Sequence, residues 1–199
     1  MKKRILAVCL ALCMLLLLCP SCGNDSSVAE VEIVFRDFGT VRLHIAGDKA
    51  PETAKNFLKL VDEGFYDGLT LHRIISGFMI QGGDPDHNGM GGSSGTVKGE
   101  FISNGFSNPI SHVRGVISMA RSSDPDSASS QFFICHEDST FLDGNYAAFG
   151  WVTSGMEVVD AICDYVTENS KTAGFFTDKN NGMISYQYQP VITSIRRVG

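Results

Sequence analysis

The sequence predicts a mainly β domain of many short strands and two helices, its edges closed into a barrel. Three observations predict it. Short runs rich in Val, Ile and Phe recur from Val31 to Val198, each bounded by Gly, Pro, Asn, Asp or Ser. Only two stretches carry apolar residues at helical spacing. The length of 199 residues, 43% of them hydrophobic, suits one core, and the chain shows neither an internal repeat nor a second domain.

Val31 to Phe35 and Thr40 to Ile45 flank Asp37-Phe38-Gly39 and read as a hairpin. Asp48 to Gly64 reads as a helix, with Pro51 in its first turn, Ala54, Phe57, Leu58 and Val61 on one face and Gly64 as a stop. Leu69 to Ile80 is strand-like and interrupted at Ser76-Gly77, and Gly82 to Gly99 is a glycine-rich loop long enough to be functional or wrapped on the surface. Gly115 to Ala120, Gln131 to Cys135 and Ala148 to Val152 are further strands. Gly155 to Cys163 is a second, short helix, residues 167–188 are polar and irregular, and Val191 to Val198 is the closing strand.

The N-terminus reads as an export signal. Lys2 to Arg4 are basic and Ile5 to Leu18 are apolar, a run shorter than the roughly 20 residues of a membrane span. Ser21-Cys22-Gly23 then resembles the end of a bacterial lipobox, although Cys19 and Pro20 depart from the usual pattern. The expected division is a signal peptide over 1–21, a lipidated Cys22 with its tether over 22–29, and one domain over 30–199. That places the protein outside the cytoplasmic membrane as a lipoprotein; the alternative is a cleaved, secreted form. Without Lys2, Lys3 and Arg4 the chain holds 13 basic against 22 acidic residues, a charge of −9, which excludes a basic stripe for nucleic acid. Cys135 and Cys163 read as small buried hydrophobes, with a disulfide between them as the alternative in an exported protein.

Three stretches carry the chemistry. In Leu71-His72-Arg73-Ile74-Ile75-Ser76-Gly77-Phe78-Met79-Ile80-Gln81-Gly82-Gly83-Asp84 a charge sits inside an apolar strand, which is costly unless it faces a cleft or a partner. Taken alone, it is more often a snorkelling arginine on a core strand. Gly115-Val116-Ile117-Ser118-Met119-Ala120-Arg121 and Ser129-Ser130-Gln131-Phe132-Phe133-Ile134-Cys135 follow, then Phe141-Leu142-Asp143-Gly144-Asn145-Tyr146-Ala147-Ala148-Phe149-Gly150. Together, from about Val31 to Val198, these blocks closely resemble the cyclophilin family of peptidyl-prolyl isomerases. The resemblance implies an eight-stranded antiparallel β-barrel capped by two helices, and acceleration of cis–trans exchange at Xaa-Pro bonds.

The resemblance also assigns roles. It implies Arg73 as the catalytic side chain and Gln81 as a hydrogen-bonding partner near the peptide carbonyl. Phe78, Met79, Phe133 and Leu142 would line the pocket for the proline ring, with Ala120 and Arg121 beside the bound peptide backbone and Gln131 on the opposite wall. Phe141 stands where cytosolic eukaryotic members carry Trp, and Tyr146 where they carry His; both resemble bacterial members. Phe141 has no indole N–H, so strong cyclosporin binding is not expected. No cofactor or metal is implied, because no bond is made or broken. The expected partners are proline-containing unfolded or flexible polypeptides and, through the lipid, a membrane. The chain is expected to act as a monomer. A proline-peptide binding module or chaperone with little turnover is the alternative function.

Other signals carry less. Gly91-Gly92-Ser93-Ser94-Gly95 fits a hydrolase pattern but lacks the strand before it and the helix after it. His44, His72, His87, His112 and His136 have no metal-ligand spacing, and Asp84-Pro85-Asp86 lacks the remaining positions of a calcium loop. Lys98 and Glu100 in the glycine-rich region are candidates for shaping specificity.

Overall fold

The computed structural model describes residues 27–199. The expected signal peptide, the expected lipidation site Cys22 and most of the expected tether lie outside the described residues. Strands β1 (Val28–Phe35) and β2 (Gly39–Ala46) form the expected hairpin, in register from Val28↔Ala46 to Phe35↔Gly39. Alternation sends Val31, Ile33 and Phe35, and opposite them Val41, Leu43 and Ile45, into the core. Asp37, at φ 68°, makes the reversal, one of the few side chains that tolerates the left-handed region.

Helix α1 (Pro51–Asp62) follows the sequence expectation and buries Ala54, Phe57, Leu58, Leu60 and Val61. Its N-cap, Ala50, has no acceptor to offer the first amides. Glu100, from the glycine-rich region, supplies it: the carboxylate accepts the N–H groups of Glu52 at 3.1 Å and Thr53 at 2.8 Å and is itself only 3% exposed. Glu100 is therefore committed to a helix N-terminus, where a negative charge is favourable, and not to specificity.

The rest of the sheet comprises β3 (Arg73–Ile75), β4 (Met79–Gly82), β5 (Val116–Met119), β6 (Phe132–Cys135), β7 (Ala148–Ser154), β8 (Phe176–Asp178), β9 (Met183–Ile184) and β10 (Ile192–Val198). Helix α2 spans Met156–Asn169, one and a half turns beyond the expected end at Cys163. Val166 continues its buried face, and Thr167 and Asn169 fold back onto the carbonyls of Cys163 and Tyr165, so polar residues that read as irregular finish the helix. Cys135 and Cys163 are free and buried, with both thiols pushed up to about 12 by desolvation.

The mainly β architecture with two helices stands, but the closed eight-stranded barrel does not. Ten antiparallel strands run in the order β10-β1-β2-β7-β5-β6-β4-β3-β9-β8, with β10 and β8 as ends. The two extra strands come from 167–188, which folds into the β8–β9 hairpin. The approach between the start of β3 and the start of β10 is limited to the bridge Thr70↔Val191 and three backbone bonds, Gly68 N–H to Ile192 O, Leu71 N–H to Pro190 O and Ile192 N–H to Leu69 O. Pro190 has no N–H to extend it into a ladder.

Candidate active site

Strands β3, β4 and β6 lie side by side, with Arg73 opposite Gln81 and Gln81 opposite Phe133. Ile74, Ile80, Phe132 and Ile134 point into the main core, where Phe57, Tyr66, Phe132 and Phe149 pack ring against ring. The alternate residues Arg73, Met79, Gln81 and Phe133 consequently share the other face. There Met79, Phe133, Leu142, Val116 and Ala148 form a second apolar cluster, with Phe78, Ala120 and Tyr146 packed at its margin.

Arg73 is half-buried at the edge of that cluster. Its Nε donates to the Asn181 carbonyl at 2.9 Å and its Nη1 to Gln81 Oε1 at 3.0 Å, while Cζ lies 6.0 Å from the Phe78 ring centre. No carboxylate pairs with it among the described residues. Burial lowers its pKa and Tyr146 opposes that shift, and a guanidinium remains charged throughout. A cation held by neutral oxygens, with no acid to absorb its charge, is available to a neutral acceptor placed over the cluster.

Gln81 relays the order outward. Its Nε2 donates to Gln131 Oε1 at 2.9 Å, and Gln131 Nε2 donates to the carbonyls of Gly89 (3.1 Å) and Gly91 (2.8 Å). The glycine-rich loop is thus stapled to the site, its near end folded around Asp84, whose carboxylate accepts the amides of Asp86, Asn88 and Gly89. On the opposite wall Arg121 lies over Tyr146 (4.8 Å) and Phe101 (5.2 Å) and donates from Nε to the Asn145 carbonyl at 3.0 Å. Ala120 N–H is taken by the Gln131 carbonyl. Phe141, 71% exposed, packs against Phe78 with the ring centres 5.4 Å apart and forms the rim.

The open cleft measures about 590 Å³. Ten of the residues singled out from sequence line it: Arg73, Phe78, Met79, Gln81, Ala120, Arg121, Phe133, Phe141, Leu142 and Tyr146. Gln131 lines the neighbouring cleft and touches the first through Gln81.

Behind the wall, His112 stacks on Phe133 at 6.0 Å, contacts Ser118 Oγ through Nε2 at 3.0 Å and Asp143 Oδ1 through Nδ1 at 2.8 Å. Desolvation lowers the His112 pKa although Asp143 opposes it. Burial raises Asp143, but bonds from Ser111 and from the His112 backbone and ring outweigh it and hold that carboxyl below the usual range. A neutral, fully enclosed imidazole thereby fixes the residue next to Leu142.

The sequence profile described as cyclophilin type peptidyl-prolyl cis-trans isomerase/CLD matches residues 30–180. The chain belongs to the cyclophilin-type peptidyl-prolyl cis-trans isomerase family. Peptidyl-prolyl cis-trans isomerase A of Dickeya dadantii is 39% identical over 178 residues, covering 85% of this chain and 88% of that one. Peptidyl-prolyl cis-trans isomerase B of Bacillus subtilis is 45% identical over 124 residues, or 62% and 83% of the two chains. Among solved structures, a cyclophilin-type isomerase of Cryptosporidium parvum superposes with a TM-score of 0.71 at 28% identity, covering 86% of this chain and 98% of that one. The same parasite protein in the presence of the dipeptide Ala-Pro gives 0.70 at 28% identity, over 85% and 99%.

The cyclophilin cleft also contains residues that the sequence reading passed over: His72, Asn88, Gly89, Met90, Asn181 and Met183. The last two belong to the β8–β9 hairpin. The signal that could have found them is Asn181-Gly182, the strongest short-range mark of a hairpin turn, inside the stretch read as irregular.

Proposed function

We propose that this cyclophilin accelerates rotation about Xaa-Pro peptide bonds, with Arg73 as its catalytic residue. The carrying observation is a half-buried guanidinium with no carboxylate partner among the described residues, facing an apolar floor of Phe78, Met79, Phe133 and Leu142.

The barrier to overcome is about 18–20 kcal/mol and comes from amide resonance. In the twisted state the prolyl nitrogen loses conjugation, becomes pyramidal and gains a lone pair. A hydrogen bond to that lone pair exists only in the twisted state, so it lowers the barrier without tightening the ground state. Arg73 spends Nε on Asn181 and one Nη1 proton on Gln81, and the rest of the fork faces the cleft. The aromatic and thioether side chains hold the proline ring, and in that dry setting the charge–lone pair interaction outweighs its value in water. Gln81, oriented by Arg73 and Gln131, meets the peptide carbonyl side. Ala120, Arg121 and Gln131 flank the polypeptide on either side of the ring, Phe141 covers its exposed edge and Tyr146 closes the far wall. Uncatalysed exchange takes roughly 10–100 s at 25 °C, slow enough to limit the folding of exported chains.

The substrate class is proline-containing unfolded or flexible polypeptide. The chain is proposed to act as a monomer. An anchor at Cys22 outside the cytoplasmic membrane is supported by the order of basic, apolar and Ser-Cys-Gly segments. Two-dimensional exchange spectroscopy on an Ala-Pro peptide tests the activity: catalytic amounts of the chain produce exchange cross-peaks between cis and trans signals, and their absence with folded protein refutes it.

A further inference from the structure

Arg73 is held not only by its partner strand β4 but on its other side, by the β8–β9 hairpin, whose Asn181 and Met183 reach the cleft. The β8–β9 hairpin pairs Met183 with Arg73, and two backbone bonds bracket that pair: Ile74 N–H to Gly182 O at 2.9 Å and Ile184 N–H to His72 O at 3.0 Å. The Asn181 carbonyl at the hairpin turn then accepts from Arg73 Nε. The same hairpin therefore holds the strand on either side of this residue, at His72 and Ile74, and holds Arg73 itself by its side chain.

The direction of that carbonyl is itself fixed. Asp178 Oδ1 accepts the N–H groups of Asn180 at 3.0 Å and Asn181 at 3.3 Å, and Asp178 Oδ2 accepts Asn181 Nδ2 at 2.6 Å. These bonds hold the exposed Asp178 carboxyl below the usual carboxylate range, the Asn181 side chain contributing most. Gly182, at φ 68°, is in the left-handed region, and a Cβ there would meet the Ile74 carbonyl oxygen at 2.5 Å. Outside the turn, Lys179 Nζ donates to the Ser170 carbonyl at the C-terminal end of α2, and Ser185 N–H donates to the carbonyl of fully buried Phe175. The turn cannot drift without breaking bonds to β3, to α2 and to the core.

We propose that the β8–β9 hairpin is the positioning element for Arg73, with Asp178 as its key positioning residue, setting through the Asn181 carbonyl the rotation of the guanidinium about its side-chain axis. Gln81 binds only one Nη group, which leaves the fork free to swing about that contact. The second bond, at Nε on the other side of the group, removes that freedom, and orientation of this kind is worth one to two orders of magnitude in rate when lost. The inference rests on Arg73 acting in the isomerisation.

The test compares the full chain in detergent with its Asp178→Ala, Asp178→Asn and Arg73→Ala variants, measuring Xaa-Pro exchange at saturating peptide, peptide dissociation constant and the NMR signal of Arg73 Nε–H. Asp178→Ala is expected to lower saturated exchange about tenfold with peptide affinity unchanged and the Nε–H signal exchanging faster with solvent. Asp178→Asn, which keeps an acceptor for the two turn amides but not for Asn181 Nδ2, is expected to recover most, though not all, of both. Full activity and an unchanged Nε–H signal in Asp178→Ala overturn the proposal, as does an equal loss in folded Asp178→Asn. An active Arg73→Ala variant instead refutes the catalytic assignment beneath it. If Asp178→Ala does not fold, Asn181→Ala, which removes only the Nδ2 bond, must show the same change in the Nε–H signal with a smaller loss of rate.

Discussion

Arg73 and Gln81 stand opposite one another across the β3–β4 ladder, and the guanidinium Nη1 donates to Oε1 at 3.0 Å. The same amide donates from Nε2 to Gln131, so both of its ends are committed and its orientation is determined. Gln81→Glu would place a carboxylate where a neutral oxygen now sits, forming a charge-assisted pair that draws the guanidinium away from the prolyl nitrogen. It also removes the donor to Gln131. Turnover by Gln81→Glu is expected to fall about 10- to 100-fold, measured by peptide exchange rates, with a smaller loss for Gln81→Ala.

Glu100 offers the complementary case, a residue near the cleft in sequence whose work is structural. Its carboxylate caps α1 from a buried position. Glu100→Ala leaves two amides without that acceptor and is expected to cost about 1–2 kcal/mol. Urea unfolding reads the loss, while isomerase turnover below the transition stays at the wild-type level.

His72 is fully buried, and neither ring nitrogen has a hydrogen-bond partner among the described residues. Desolvation lowers its pKa from 6.5 to about 4; Asp84 opposes the shift, and Arg73 and His87 reinforce it. The unfolded chain therefore binds this proton more readily than the folded one. The contribution is fully present above pH 6.5 and is lost as pH falls toward 4, by about 2 kcal/mol between pH 7 and pH 5. His72→Leu removes the titrating group and the unpartnered nitrogens together. Unfolding curves at the two pH values are expected to show a difference smaller by about that amount. An unchanged difference contradicts the assignment of the acid limb to His72.

For the proposed anchor at Cys22, Triton X-114 partition compares the wild type with Cys22→Ala. Recovery of the wild type in the detergent phase and of the mutant in the aqueous phase is the expected outcome. Equal partition of both removes Cys22 as the attachment point.

Most of the site was legible because its residues lie in strands with alternating patterns. Ile74, Ile80 and Phe132 mark the core side of β3, β4 and β6, and this places Arg73, Gln81 and Phe133 on the other face together. What local pattern does not encode is the approach of distant segments. Asn181 reaches Arg73 across 108 positions, through a backbone carbonyl that leaves no trace in residue type. Glu100 caps α1 across 47 and 48 positions, and its loop context made it look like a specificity residue. The ends of the sheet were misread for a related reason. β8 and β9 are only three and two residues long, too short for a periodicity, and they extend an order that eight strands would have closed.

The central claim is that the Arg73 guanidinium lowers the rotational barrier while the apolar floor binds the ring. The direct measurement is cis–trans exchange of an Ala-Pro peptide by NMR, with wild type, Arg73→Ala and Arg73→Lys at matched saturation and with folding verified by thermal unfolding. The account predicts a loss of about 100-fold or more in Arg73→Ala, little rescue by lysine, whose single ammonium cannot hold Asn181, Gln81 and the prolyl nitrogen at once, and peptide affinity nearly unchanged. Wild-type exchange rates in folded Arg73→Ala would contradict it and leave a cleft that binds proline without catalysis by this residue.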